Sequence, residues 1–380
     1  MSGYRDSLQR AALYVGGFLG PFGGGLVVSM LPEIGEDTGV SAGVAATTVT
    51  AYLGVFAVFM LFSGTLGSRW GRLRTVRTAY VVYASVSIAA ALAPTFSLLI
   101  GARMLQGAGN AFTTPLLLAA LAAITPRKSL GRALGLFGAM QAAGQTTAPL
   151  IGGLAAEVNW RWAFVVLAVA AVALAVIGLP DRMDETEEGP ARLRDALRPR
   201  VLRTGVVALL GFGALGGLGF LLAFRVEDDF GLSPAGRGAL LTVFGLAGIL
   251  TARPVGTLID RIGAYRSVLI GAVSGAALLV AAGTLGSIGV IAAVWFAAGI
   301  ASQCVLVAAN AAVLGDSGGN RGGAVSVVLA FRFGGAALAP IALTPLYATH
   351  PTASFVVPAM LLAVLAPLMM PADPGPAEER

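Results

Sequence analysis

One segment of this chain is written twice. Gly64-Thr65-Leu66-Gly67-Ser68-Arg69-Trp70-Gly71 returns as Gly256-Thr257-Leu258-Ile259-Asp260-Arg261-Ile262-Gly263, and Arg74 returns as Arg266. Every match is 192 residues from its partner, about half of the 380-residue chain. The register holds elsewhere. Glu36-Asp37-x-Gly39-Val40-Ser41 resembles Glu227-Asp228-Asp229-Phe230-Gly231-Leu232-Ser233, Tyr52 maps to Phe244, and Gly107 maps to Gly299. Ala148-Pro149 maps to Ala339-Pro340 at an offset of 191. Such a chain is expected to fold as two similar halves.

Each copy of the segment lies between long apolar stretches. The chain is 57% apolar and only 12% charged, with a mean hydropathy of +0.83. A soluble domain carries about 25% charged residues, so this is an integral membrane protein. A helix needs about 20 apolar residues to cross a bilayer. The stretches that qualify are 11–32, 43–66, 75–94, 96–122, 131–155 and 162–180, then 204–225, 237–259, 267–284, 287–314, 322–347 and 352–371. The expected fold is all-α, with twelve transmembrane helices in two pseudo-symmetric six-helix bundles. Residues 1–180 form the N-terminal bundle, 181–203 a cytoplasmic linker, 204–371 the C-terminal bundle and 372–380 a cytoplasmic tail. A repeated Gly/Arg-rich loop in a duplicated membrane protein points to transport, because alternating access needs two similar halves that rock about a shared centre.

Arginine and lysine set the orientation. With the N-terminus inside, twenty basic residues face the cytoplasm, and only Arg161, Arg225 and Arg237 face outward. Both termini are therefore expected in the cytoplasm, with the protein in the cell inner membrane. The polar start and the lack of a small-residue cleavage site read as a retained first helix, not a signal peptide. The linker is acidic at Asp184, Glu185, Glu187 and Glu188 and basic afterwards. It is either a short amphipathic helix on the inner leaflet or a solvated connector. The net charge of +6 belongs to cytoplasmic loops, so no nucleic-acid partner is expected. One cysteine and one histidine argue against a metal centre or an intrachain disulfide. No P-loop or nucleophilic triad appears, so neither a cofactor nor enzymatic activity is expected.

These motifs resemble those of the major facilitator superfamily, specifically its twelve-helix drug:proton antiporters, over nearly the whole chain. The family's loop 2–3 motif, G-x-L-a-D-R-x-G-r-r/k, is matched by Gly64, Leu66, Arg69, Gly71 and Arg72, and again by Gly256, Leu258, Asp260, Arg261 and Gly263. The resemblance implies a gating latch there. The family's aspartate is Ser68 in the first copy, which weakens that latch while Asp260 preserves the second. Arg103-Met104-Leu105-Gln106-Gly107 looks like the family's R-x-x-Q-G, which implies a link to proton coupling. Snorkelling of Arg103 to the outer interface is the alternative. The pseudo-symmetric partner of Arg103 is Trp295. Gly135, Gly144, Ala148, Pro149, Gly152 and Gly153 resemble the antiporter motif G-x8-G-x3-G-P-x2-G-G, with Ala148 in place of one glycine. Trp160-Arg161-Trp162-x-Phe164 resembles a segment of drug exporters and also suits an aromatic interface anchor.

Proton antiport needs a titratable group reached from each side in turn. No acid lies at the middle of any expected span. Glu33, after Pro32 at the outer end of the first span, is the leading proton-coupling candidate, with Arg103 and Asp260 beside it. Arg225, the repeat mate of Glu33, is its expected partner. The deepest charge is Arg332, which maps onto Gln141. It serves either an anionic substrate or a structural polar network. Other candidates for a substrate cavity are Tyr52, Gln106, Asn110, Gln145, Gln303 and Asn310, with Phe18, Phe22, Phe220, Phe224, Phe244 and Phe331 as apolar walls. The leading expectation is a monomeric secondary-active exporter of amphiphilic drugs or metabolites, driven by protons across the lipid bilayer. A facilitator or uptake carrier for a small polar or anionic solute is the alternative.

Overall fold

A computed structural model describes residues 2–180, 197–314 and 321–372. Those residues form helices and turns, with no strand among them. This is what a bilayer demands, because a helix satisfies its own backbone where no water is present. The first helices are α1 (Ser2–Gly25), α2 (Leu31–Thr38), α3 (Ala42–Ala45), α4 (Thr47–Trp70), α5 (Arg72–Ala91), α6 (Phe96–Ala111), α7 (Thr114–Ile124), α8 (Arg127–Ala156) and α9 (Arg161–Ile177). Then follow α10 (Pro199–Gly211), α11 (Gly219–Phe230), α12 (Pro234–Ile262), α13 (Ala264–Thr284), α14 (Ile288–Leu314), α15 (Arg321–Thr349) and α16 (Pro351–Met369).

Nine helical stretches among the described residues are long and apolar enough to cross a membrane, and α9 is a shorter apolar helix. The remaining two expected spans, 75–94 and 131–155, fall on α5 and α8. Arg72, Arg74 and Arg77 open α5, while Arg127, Lys128, Arg132, Gln141 and Gln145 make α8 more polar. Several spans are interrupted. A π-helical turn over Phe212–Gly216 separates α10 from α11, and a break at Phe112 and Thr113 separates α6 from α7. Turn chemistry sets the ends. Ser41 and Thr95 cap helix N-termini by accepting from Val44 N–H (3.2 Å) and Leu98 N–H (3.4 Å).

The residues divide into two compact units. Unit 1 comprises Met1–Pro190 with Glu227–Thr242, and unit 2 comprises Ala191–Val226 with Val243–Arg380. Helix α12 thus begins in unit 1 and continues in unit 2. The repeat is visible as packing within each unit. In unit 1, α1 packs on α8 and α5 on α6 and α9; in unit 2, α10 packs on α15 and α13 on α14 and α16. The closest approaches match residue by residue. A Cβ at Gly107 would overlap the carbonyl oxygen of Tyr52, and one at Gly299 would overlap that of Phe244. Gly144 lies against the carbonyl of Phe18 as Gly335 lies against that of Leu209. The pair Ala79–Gly109 recurs as Gly271–Ala301, with the glycine on the opposite helix. Small residues at these points let helix backbones touch.

The duplicated loop has a backbone reason for its last glycine. Gly71 and Gly263 hold φ of 86° and 87°, a region that an L side chain avoids. Each carbonyl also accepts from a hydroxyl one turn on, Thr75 Oγ1 at 2.8 Å and Ser267 Oγ at 2.7 Å. These are repeat mates, so the loop geometry is shared along with its sequence.

Gly107→Val and Gly299→Val are each expected to lower stability by about 1–3 kcal/mol through overpacking. Gly135→Val, where a Cβ meets open space, is the neutral comparison. Thermal unfolding in detergent checks this; a Gly299→Val variant that melts with Gly135→Val would refute the shared packing.

Candidate functional site

Arg103 is fully buried, with 0% exposure. On α6 it lies three and seven residues before Gln106 and Asn110, which places all three on one helix face. Its Nη1 donates to the carbonyl of Gly23 (3.0 Å) and to Gln106 Oε1 (2.9 Å), and its Nε donates to the carbonyl of Thr48 (3.4 Å). Gly23 lies in the last turn of α1, where carbonyls lose their helical partners. The guanidinium carbon stands 4.3 Å from the centre of the Tyr52 ring. Gln106 Nε2 donates to Ser87 Oγ (2.8 Å), Asn110 Nδ2 to Tyr52 Oη (2.9 Å), and Tyr52 Oη to the carbonyl of Gly20 (3.1 Å). The partners that the structure gives this cation are carbonyls, an amide and aromatic rings, with no carboxylate among them.

Snorkelling of Arg103 to an interface is overturned by its complete burial. Its repeat mate Trp295 is 1% exposed, and the Trp295 ring lies 4.8 Å from that of Phe244. Phe244 is the mate of Tyr52, so the second copy replaces a cation–π contact with a neutral ring pair.

The second assembly lies at the expected outer end of unit 1. Glu33 sits in the first turn of α2, and its expected partner, Arg225, is not the one it has. Glu33 Oε1 pairs with Arg237 Nη2. Arg237, 1% exposed, also pairs with Glu227 Oε2 at 3.2 Å. Its Nε and Nη1 donate to the carbonyls of Ser29 (3.0 Å) and Leu232 (3.2 Å). Glu33 Oε2 is buried with no hydrogen-bond partner among the described residues. Arg225 instead donates to the carbonyls of Ala282 and Leu285 beside the end of α13. The pairing failed because the repeat aligns sequence positions, while Arg237 maps onto Ala45 and so has no counterpart in the first copy.

The glycine–proline stretch of α8 carries this assembly. Ser29 Oγ donates to the carbonyl of Pro149 at 2.6 Å. A Cβ at Gly152 would overlap the carbonyl of Leu26, one at Gly153 that of Pro234, and one at Gly238 that of Pro149. Helix α12 therefore starts in direct backbone contact with α8. Beyond it, the backbone N–H of Ala235 donates to Glu157 Oε1 at 3.0 Å. That bond first, and the Ser233 hydroxyl second, hold the Glu157 carboxyl below the usual carboxylate range. Nearby, Arg161 pairs with Asp37, Trp160 Nε1 donates to Asp37 Oδ2 (3.2 Å), and Arg161 Nη2 donates to the carbonyl of Ala93 (2.9 Å).

The remaining expected residues are distributed as follows. In unit 1, Phe22 is buried and stacks on Phe18 with centroids 5.2 Å apart; Gln141 and Gln145 are partly buried on α8. Ala148 is buried, Gly144 meets Phe18, and Gly135 is exposed. Arg72 is buried, whereas the side chains of Ser68 and Arg69, and position Gly64, lie outside the described residues. In unit 2, Arg332 stands 4.2 Å from the Phe212 ring centre and 5.3 Å from that of Phe333, beside the π-helical turn. Phe220 is buried against Phe224, Asn310 is partly buried on α14, and Gln303 lies against Gly248. Asp260 and Arg261 are exposed, while Gly256 and Gly263 are partly buried at the end of α12.

Sequence reasoning missed Arg237 and Glu227 as partners of Glu33. One signal was present. Arg237 lies in the first turn of α12, where the helix dipole disfavours a cation, so it needs acids nearby.

A bilayer-spanning helical bundle, with paired copies of the same helix contacts and buried cations held by backbone carbonyls, defines a class of membrane transporter. The Major Facilitator Superfamily family model matches residues 13–227 and 204–380, and the chain belongs to that family. It is 33% identical over 163 residues to the uncharacterized MFS-type transporter EfpA of Mycobacterium tuberculosis, covering 42% of this chain and 31% of that relative. It is 32% identical over 148 residues to the multidrug resistance protein B homolog of the same organism, covering 38% of this chain and 27% of that relative. The chain thus spans less than a third of the length of these two relatives. Among solved structures it resembles the nucleoside transporter NupG, with a TM-score of 0.76 and 14% identity over 95% of this chain and 99% of that one.

Arg237→Ala is expected to destabilise unit 1 by about 2–4 kcal/mol, since it strands Glu33 and Glu227 together. Glu33→Gln keeps an acceptor for Arg237 and leaves Glu227 as its countercharge, so it is expected to lose less, about 1 kcal/mol. Chemical denaturation in detergent measures both; equal losses would show that Arg237 does not hold the two acids.

Proposed function

We propose that this chain is a secondary-active transporter that exports amphiphilic drugs or metabolites in exchange for protons. It does so by alternating access, with twelve spans in two pseudo-symmetric six-helix bundles. It works as a monomer in the cell inner membrane with both termini in the cytoplasm. The observation that carries the coupling is Arg237 between Glu33 and Glu227, built on the Pro149–Gly153 stretch that resembles an antiporter motif. A proton arriving from outside neutralises Glu33, and Arg237 then loses half of its countercharge. The start of α12 loosens from α2 and α8, and the site opens. The multidrug resistance protein B homolog supports the export direction by its name. Arg103, with Tyr52, Gln106 and Asn110, supplies a fixed positive field that disfavours a second cation in the protonated state. Asp260, with Arg261, Gly256 and Gly263, latches the cytoplasmic side, and Ser68 leaves the first-copy latch weaker.

A second reading has one observation in its favour. Arg332, near the rings of Phe212 and Phe333 beside a π-helical turn, suits an anionic solute, and π-helical turns recur at functional sites. In that reading the chain is a facilitator or uptake carrier, with Gln141, Gln145, Asn310, Phe22 and Phe220 as further contacts.

Proteoliposomes separate the two. Drug-triggered proton movement that vanishes in Glu33→Gln is the expected result, together with drug tolerance in cells that collapses on adding an uncoupler. Solute movement without proton flux, lost in Arg332→Ala, would overturn antiport in favour of the facilitator.

A further inference from the structure

A groove of about 710 Å³ opens on unit 1 between the end of α4, the first half of α5 and the second half of α6. Its lining changes character along one helix face. Arg74, Thr78 and Val82 follow at intervals of four on α5, so cation, hydroxyl and aliphatic group succeed one another over about 12 Å. Ala108 and Gly109 deepen the apolar end, and Trp70 flanks the charged end at 58% exposure. Trp70 stacks on Phe112 with centroids 6.2 Å apart. This is the order of groups along a glycerophospholipid: phosphate, ester region, acyl chain.

Charge complementarity points the same way. Between Asp37 and Glu157 the chain contains no acidic residue, yet it carries Arg69, Arg72, Arg74, Arg77, Arg103, Arg127, Lys128 and Arg132. The second copy of the loop has Asp260 where this one has Ser68. Among the described residues no carboxylate pairs with Arg74, which is exposed. A basic pocket between membrane helices, flanked by an interfacial tryptophan, suits an anionic headgroup.

We propose that this groove holds an anionic phospholipid from the leaflet on the arginine-rich side. Its phosphodiester sits on Arg74 and its acyl chain runs along Val82, Leu105 and Ala108. This site is independent of the transport reading, because it needs neither substrate nor proton movement.

The test is lipid retention by the full-length protein, purified in detergent with an equimolar mixture of phosphatidylglycerol and phosphatidylcholine and read by native mass spectrometry. The expected result is preferential retention of phosphatidylglycerol. Arg74→Gln is expected to reduce it about five-fold, from roughly 1 kcal/mol per surface arginine. Arg77→Gln, an exposed neighbour outside the groove, leaves retention unchanged, and Arg74→Lys restores most of it. Ala108→Phe fills the groove and releases the lipid without altering charge, which keeps the proposal testable should Arg74→Gln fail to fold. Equal retention of both lipids, or equal loss in Arg74→Gln and Arg77→Gln, would overturn it. So would retention that emerges only after Asp184, Glu185, Glu187 and Glu188 are neutralised, because the acidic linker would then be the occupant of Arg74.

Discussion

Backbone contact at glycine is the constraint from which the rest of this structure follows. In a bilayer, helices gain little from the hydrophobic effect against one another, and packing contacts must hold them together. Gly107 against Tyr52 and Gly144 against Phe18 bring α6 onto α4 and α8 onto α1, and the same pairs recur at Gly299 with Phe244 and Gly335 with Leu209. Only with α4 and α6 in such contact can Arg103 reach the carbonyls of Thr48 and Gly23 at once. Only with α8 bared at Gly153 can the start of α12 lie against it and deliver Arg237 to Glu33.

Arg103 and Arg237 are therefore both products of close packing, but they are neutralised differently. Arg103 is held by dipoles: carbonyls, an amide and a tyrosine face. Arg237 has two carboxylates beside the carbonyls of Ser29 and Leu232. A cation held by dipoles keeps its surroundings at any accessible pH, because none of those partners gains a proton. A cation held by carboxylates depends on their ionisation, and this contrast is why the proposed coupling is placed on Arg237 rather than Arg103.

Much of the helix pattern was legible because hydropathy and the repeat are one-dimensional. Gly71 and Gly263 could be paired by offset alone, and their matching positive φ shows what the offset preserved. The R-x-x-Q-G stretch drew attention to Arg103 and Gln106 separately, and the structure joins them by a hydrogen bond. The partner of Glu33 was not legible. Symmetry nominated Arg225, but the two copies share helix contacts and not this ion pair, since Arg237 has Ala45 at its mate position. Arg225 had been diverted to the carbonyls of Ala282 and Leu285. The groove at Arg74 was hidden too: its helices are consecutive in the chain, but which faces of α5 and α6 they leave open is set by packing rather than by hydropathy.

The separation of Glu33 and Arg237 in the chain is 204 residues, whereas Arg103, Arg161 and Asp37 find their partners within the first 161 residues. At about 5–20 residues per second of synthesis, roughly 10–40 s pass before the ribosome makes the cation that Glu33 requires. Before that interval ends the partners of Arg103 have all been made, whereas the partner of Glu33 comes only with Arg237. The contact proposed to couple transport is thus also among the last polar contacts of unit 1 to form during biogenesis. A chain cut before Arg237 would carry Glu33 on α2 without the cation it pairs with in the finished protein.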